Sequence, residues 1–208
     1  MRKILKFSNN LFKAEYLENI DGLTINNYGI LVNLDKKPLV IDNSGSISYY
    51  KSYLLKDWKV KVKITKAVLI SFDYDPARTN NELNKFCLAK WDNNKKRYPD
   101  DPSKWNYKIL RSPIEKIKNL EFNCWYLPKD TASSIHIEHP FKEIHTQLYG
   151  LGIMNKFKKQ DYETLYQRMY MPPGFTHDFF FDQKIKYPWH QYEAVSECIW
   201  MAIMEYKN

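Results

Sequence analysis

The chain has 208 residues, 44% hydrophobic and 27% charged, which fits one globular domain with a sizeable core and excludes two full-sized enzyme domains. A net charge of +8 can attract phosphates or sugar acids, but there is no zinc-finger spacing and no basic helix interleaved with aromatics, so no nucleic-acid partner is expected. Three cysteines without a CxxC pair exclude a disulfide framework and a cysteine zinc site, and point to a reducing, cytoplasmic setting.

The opening MRKILKFSNN turns polar before a signal-length apolar stretch forms, and no run approaches membrane-spanning length, so no membrane partner is expected either. From Tyr28 to Asp42 two short apolar runs flank the polar Asp35–Lys37, which predicts a hairpin. Lys59, Lys61 and Lys63 alternate with Val60, Val62 and Ile64, the period-2 pattern of a strand with one wet face. Residues 73–104 read as an insertion: a short helix over 77–91, then a polar loop containing Pro99 and Pro102.

Further strands are predicted at 107–110, 120–127, 143–149, 152–157, 164–171 and 198–205, from aromatic and branched runs bounded by Pro, Gly, Asp or Asn. Many short strands suggest an antiparallel sandwich or barrel. Cys198 falls inside the last run and is expected to be buried and inert. No GxSxG elbow, GxGxxG or phosphate loop is present, which removes the common nucleophile and nucleotide-binding readings.

All five histidines lie between His136 and His190. Imidazole is a common metal ligand and the usual acid or base near neutral pH, so this third of the chain is where chemistry is expected. The segment HIEHPFKEIHTQLYG (136–150) and the segment LYQRMYMPPGFTH (165–177) together resemble the two motifs of the cupin superfamily, with Glu143 and Gly150 at the first motif's spacing and Pro172, Gly174 and His177 matching the second.

The resemblance covers roughly residues 130–208 and departs from the family in the first motif. One register pairs His136 with Glu138 and the other pairs Ile137 with His139, and Phe181 stands where the family often has Asn. It implies an all-β, cupin-like jelly-roll barrel with extra N-terminal strands and a short helical or loop insertion, a single domain in which 1–104 supply N-terminal strands and 105–208 carry the site. It also implies one divalent transition metal, Fe, Mn, Ni or Zn, held by His136, His139, Glu143 and His177, and a homodimer.

On a strand beginning at Glu143, His145 and Gln147 share its face, so His145 is a candidate proton carrier beside the metal; the alternative is a packed core histidine. His190, set among Tyr187, Trp189 and Tyr192, is the second candidate acid or base; the alternative is a satisfied surface histidine. Gln147, Tyr149 and Trp189 are the candidate substrate contacts. The function so implied is a metal-dependent enzyme acting on a small polar or anionic substrate, leaning to isomerase, epimerase or lyase chemistry on a sugar or sugar acid. The alternatives are an Fe(II)-dependent dioxygenase and a non-catalytic small-ligand sensor.

Overall fold

The computed structural model describes residues 1–41, 45–77, 88, 91–93, 108–137, 141–178 and 187–206. It is a mostly antiparallel all-β fold in three layers. The first is a sheet of β1 (Arg2–Ile4), β2 (Lys13–Asn33) and β5 (Ser52–Phe72). The second runs β11 (Lys142–Tyr149), β15 (Cys198–Glu205), β9 (Leu120–Leu127), β7 (Leu110–Arg111), β6 (Asp92–Asn93), with β8 (Glu115–Ile117) also on β9. The third is β10 (Thr131–Ala132), β14 (Trp189–Ala194), β12 (Gly152–Phe157), β13 (Leu165–Met171).

The central sheet is buried on both faces, and its residues alternate between two cores. Phe122, Cys124, Ile144, Leu148, Met201 and Ile203 face the first sheet, where they meet Tyr16, Ile30, Val68 and Ile70. The intervening positions of β9 and β15, Leu127, Cys198 and Trp200, face the third sheet and meet Met154, Met171 and Tyr192. This second interior, between the central and third sheets, is the inside of the barrel. Each fully buried aliphatic or aromatic side chain in such a core contributes about 1.5–3 kcal/mol relative to exposure.

The long strands β2 and β5 form one ribbon that curls back on itself. Tyr28 pairs with Lys56 and also with Phe72, and Val32 with both Ser52 and Val68, so the end of β2 lies between two parts of β5. A separate core of Leu23, Ile25, Leu31, Ile47 and Leu69 fills the outer side, beneath the short pair β3 (Leu39–Val40) and β4 (Ser46–Ile47).

The hairpin predicted over Tyr28–Asp42 is therefore corrected. Its polar turn is real, but Asn33 pairs with Ala67, not with the Leu39 run, which pairs with Ser46–Ile47. The Asn33 amide fixes this by donating to the carbonyls of Lys37 and Ile47 while its oxygen accepts from the Asp35 N–H. The expected helical insertion is corrected as well: among the described residues there is no α-helix, and 3-10 geometry occurs at Tyr162–Thr164 and at Leu88. Most of 77–91 lies outside the described residues, but its start is a turn in which Asp75 Oδ1 accepts from the Ala77 N–H at 3.0 Å, an Asx closure that competes with a helix. Among the described residues no helix is long and apolar enough to cross a membrane.

Candidate functional site

Strand β11 supplies one wall of the barrel interior. Glu143, His145 and Gln147 share the face opposite Ile144 and Leu148, and all three are buried. His145 Nε2 lies 3.4 Å from Glu143 Oε1, with both side chains less than a tenth exposed. Across the central sheet the register sets His145 beside Ala202 and Ala202 beside Asn123, while Gln147 and Trp125 flank Trp200. Residues directly opposite on antiparallel strands share a face, so these rows form the floor of the interior.

The third sheet supplies the opposing wall. His190 on β14 pairs with Lys156 on β12, and an isolated bridge joins His190 to His136. The two imidazoles lie 4.2 Å apart, centroid to centroid, and the Tyr187 ring is 5.5 Å from His190. His136 Nδ1–H donates to the Ser134 carbonyl and His190 Nδ1–H to the Pro188 carbonyl, which orients both rings. Burial pushes the His136 imidazole below its ordinary pKa, an effect that Glu143 opposes and His145 reinforces. Burial likewise lowers the Lys156 ammonium and raises the Tyr187 phenol.

His177 closes the group from the turn after β13. Its Gly174 has φ +85°, and a Cβ there would sit 2.7 Å from Leu54 Cβ, so only glycine lets the turn lie against β5. The Gly174 N–H donates to the Gln147 carbonyl, and the Ser52 hydroxyl donates to the Gly174 carbonyl at 2.6 Å. The imidazole that this turn delivers is fully buried, 5.0 Å from that of His145 and perpendicular to it.

Both ring nitrogens of His177 are engaged by backbone: Nδ1–H donates to the Asp178 carbonyl at 2.6 Å, and Nε2 accepts from the His145 N–H at 3.0 Å. Burial, reinforced by His145, holds the ring well below its ordinary pKa, so it is neutral. A ring whose acceptor lone pair is spent on an amide has none to give a metal. Among the described residues no group of three or more His, Cys, Asp or Glu side chains is arranged to hold a metal ion. The cupin resemblance implies a divalent metal, but the described donors do not fit one; Glu138 and His139 lie outside the described residues.

Of the candidate residues, the fold brings Glu143, His145, His177, His136 and His190 into one interior. Gln147 is there too, but its amide donates to the carbonyls of Tyr149 and Gly150 and its oxygen accepts from the Tyr192 hydroxyl. Tyr149 faces the other core, because a β-bulge between Gln147 and Tyr149 breaks the alternation. Trp189 precedes the inward-facing His190 on β14 and so projects from the opposite face. The triple Phe179–Phe181 lies outside the described residues. Cys198 is buried in the barrel core, with its thiol pushed up by burial to about 12.

Sequence reasoning missed Lys156 and Asn123. Lys156 is the lone charge in the run GIMNKF, at the period-2 position that follows the inward Met154. Asn123 is the uncharged polar residue in LEFNCWYL, between the inward-facing positions Glu121 and Trp125. A polar side chain breaking an apolar strand was the available signal in both.

No family model matches the sequence, and no curated protein matches it. Solved structures do match. A cupin 2 conserved barrel domain protein from Leptotrichia buccalis is 13% identical, with a TM-score of 0.40, covering 100% of this chain and 88% of its own. KdgF from Halomonas sp. is 12% identical, with a TM-score of 0.39, covering 57% and 88%. A cupin superfamily protein from Desulfitobacterium hafniense is 10% identical, with a TM-score of 0.37, covering 48% and 78%. These likenesses are distant, with TM-scores of 0.40 or less, and the mostly-β fold of the chain rests on its own strands.

Proposed function

We propose that the chain is an enzyme of isomerase or epimerase type that moves a proton on a small polar metabolite bound inside the barrel. The observation that carries this reading is the Glu143–His145 pair: a carboxylate 3.4 Å from an imidazole, both nearly buried and both on the inward face of β11. A buried carboxylate stabilises the imidazolium formed when His145 takes a proton, and low local polarity strengthens that pairing. His145 is then the base that removes a proton from substrate carbon, and His190, on the facing wall and oriented through its Nδ1–H, is the acid that returns one in this reading. The half-buried Lys156 ammonium, paired in register with His190, offers a positive charge to an anionic substrate or to an oxyanion formed in the reaction.

The reading needs no metal step, because the described donors do not fit a metal. Solvent deuterium exchange into candidate sugars and sugar acids, followed by NMR, tests it. Wild-type protein is expected to wash deuterium into its substrate at a carbon beside a carbonyl. His145→Gln should lose at least about a hundredfold of that rate, the usual worth of a positioned acid or base. Exchange that survives in His145→Gln would remove the assignment. A ligand bound without exchange would move the reading to a binding module.

A further inference from the structure

Among the described residues, the buried polar atoms of the barrel floor that have no hydrogen-bond partner include Asn123 Oδ1 and Trp200 Nε1. Asn123 is 1% exposed and Trp200 4%. Nearly all buried polar groups are paired in folded proteins, so an orphan acceptor and an orphan donor on one face require a reason. Both lie beside the proposed base. Ala202 separates Asn123 from His145 in one cross-strand row, and Trp200 precedes Ala202 by two residues on β15. That makes Asn123 and Trp200 diagonal cross-strand neighbours, about 7–8 Å apart at the backbone, within reach of an amide and an indole aimed at one group between them. The Trp200 ring is fixed by stacking on Tyr192 at 3.9 Å and lies 6.1 Å from the His145 ring.

We propose that Asn123 and Trp200 form a hydroxyl-recognition subsite, so that the substrate of the proton-transfer site carries a hydroxyl seated between them. This rests on the reading of His145 as the base. One hydroxyl answers both orphans, since it donates its proton to Asn123 Oδ1 and accepts from Trp200 Nε1–H. A carboxylate can accept from the indole but has nothing to give Asn123, and an ammonium has the converse defect. Ala202, which carries only a methyl between Asn123 and His145, lets one carbon skeleton reach both.

The test follows the Trp200 indole N–H resonance of the full chain in ¹⁵N-labelled protein, assigned by its loss in Trp200→Phe. The probes are D-glucuronate, D-xylose and glycerol, with succinate as the control that lacks hydroxyls. The hydroxylated probes are expected to shift the Trp200 peak and succinate to leave it in place. Asn123→Leu should weaken probe affinity about tenfold, the worth of one neutral hydrogen bond, and leave the melting temperature unchanged or higher. Trp200→Phe, which keeps an aromatic ring but removes the donor together with the five-membered ring, should weaken it at least as much by calorimetry.

A Trp200 peak that none of the three hydroxylated probes moves means that buried water satisfies the pair, and overturns the subsite. Asn123→Leu and Trp200→Phe both binding as wild type overturns it too. Probe binding without deuterium exchange would overturn only the proton-transfer reading; exchange that depends on His145 with the Trp200 peak unmoved would overturn only the subsite.

Discussion

At the residue scale, the two glycines of the cupin-like motifs have a backbone reason. Gly150 has φ +69°, with a Cβ position 1.9 Å from the Glu197 carbonyl oxygen, and Gly174 has φ +85° against Leu54. Neither position tolerates a side chain, so each glycine is a geometric requirement of the strand it ends or the turn it opens. Gly174→Ala is expected to lower stability by about 1–3 kcal/mol through the left-handed backbone and the Leu54 clash, measured by urea unfolding. An unchanged midpoint would show that the turn can move away from β5. His177, delivered by that turn, acts through its bonds to backbone and not as a free ligand. Its imidazole ¹⁵N shifts should report a neutral ring protonated at Nδ1 from about pH 8 to about pH 5, whereas an exposed histidine would titrate across that range.

At the element scale, the turn at 172–178 is tied to two layers at once. The Thr176 hydroxyl lies 2.7 Å from Thr146 on β11 and 2.6 Å from Ser52 on β5, and Ser52 also holds the Gly174 carbonyl. These contacts place His177 and make the N-terminal ribbon part of the site's support even though it lines none of it. Ser52→Ala is expected to cost about 1 kcal/mol and to speed hydrogen exchange at the His177 amide more than in the distant β8–β9 pair. Equal protection in variant and wild type would detach the ribbon from the site. Strand β11 carries the other element-level decision, because its bulge after Gln147 sends Tyr149 to the opposite core.

At the scale of the whole molecule, burial couples the imidazoles to folding. His136 and His177 both have pKa values below the ordinary 6.5, chiefly through desolvation. As pH falls through 6.5 the unfolded chain takes up protons that the folded chain refuses, so stability declines with acidification, until the folded groups titrate as well. The lowered carboxylates Glu18 and Glu115 act in the same direction, but only as pH falls below about 4.5, their ordinary value. The urea midpoint should therefore drop between about pH 7 and about pH 5, and His177→Gln should make the drop smaller. A midpoint that is flat across that window in wild type would contradict neutral buried imidazoles.

The sequence by itself determined much of the strand inventory, because alternation and turn residues are local properties. Strands β9, β12 and β15 have the predicted bounds, and β11 and β13 differ from theirs by one residue. Strand β14 was not legible: in WHQYEA the inward residues His190, Tyr192 and Ala194 do not contrast with Trp189, Gln191 and Glu193 as apolar with polar. The shared inward face of Glu143, His145 and Gln147 was also legible, by the same period of two.

The tertiary structure alone decided what those residues can do. That His177 Nε2 is spent on the His145 amide, that Asn123 reaches the His145 row through Ala202, and that Lys156 pairs with His190 all depend on register between strands distant in the chain. Register is set by the packing of whole sheets, and a slip of one residue would turn every one of these side chains to the other face.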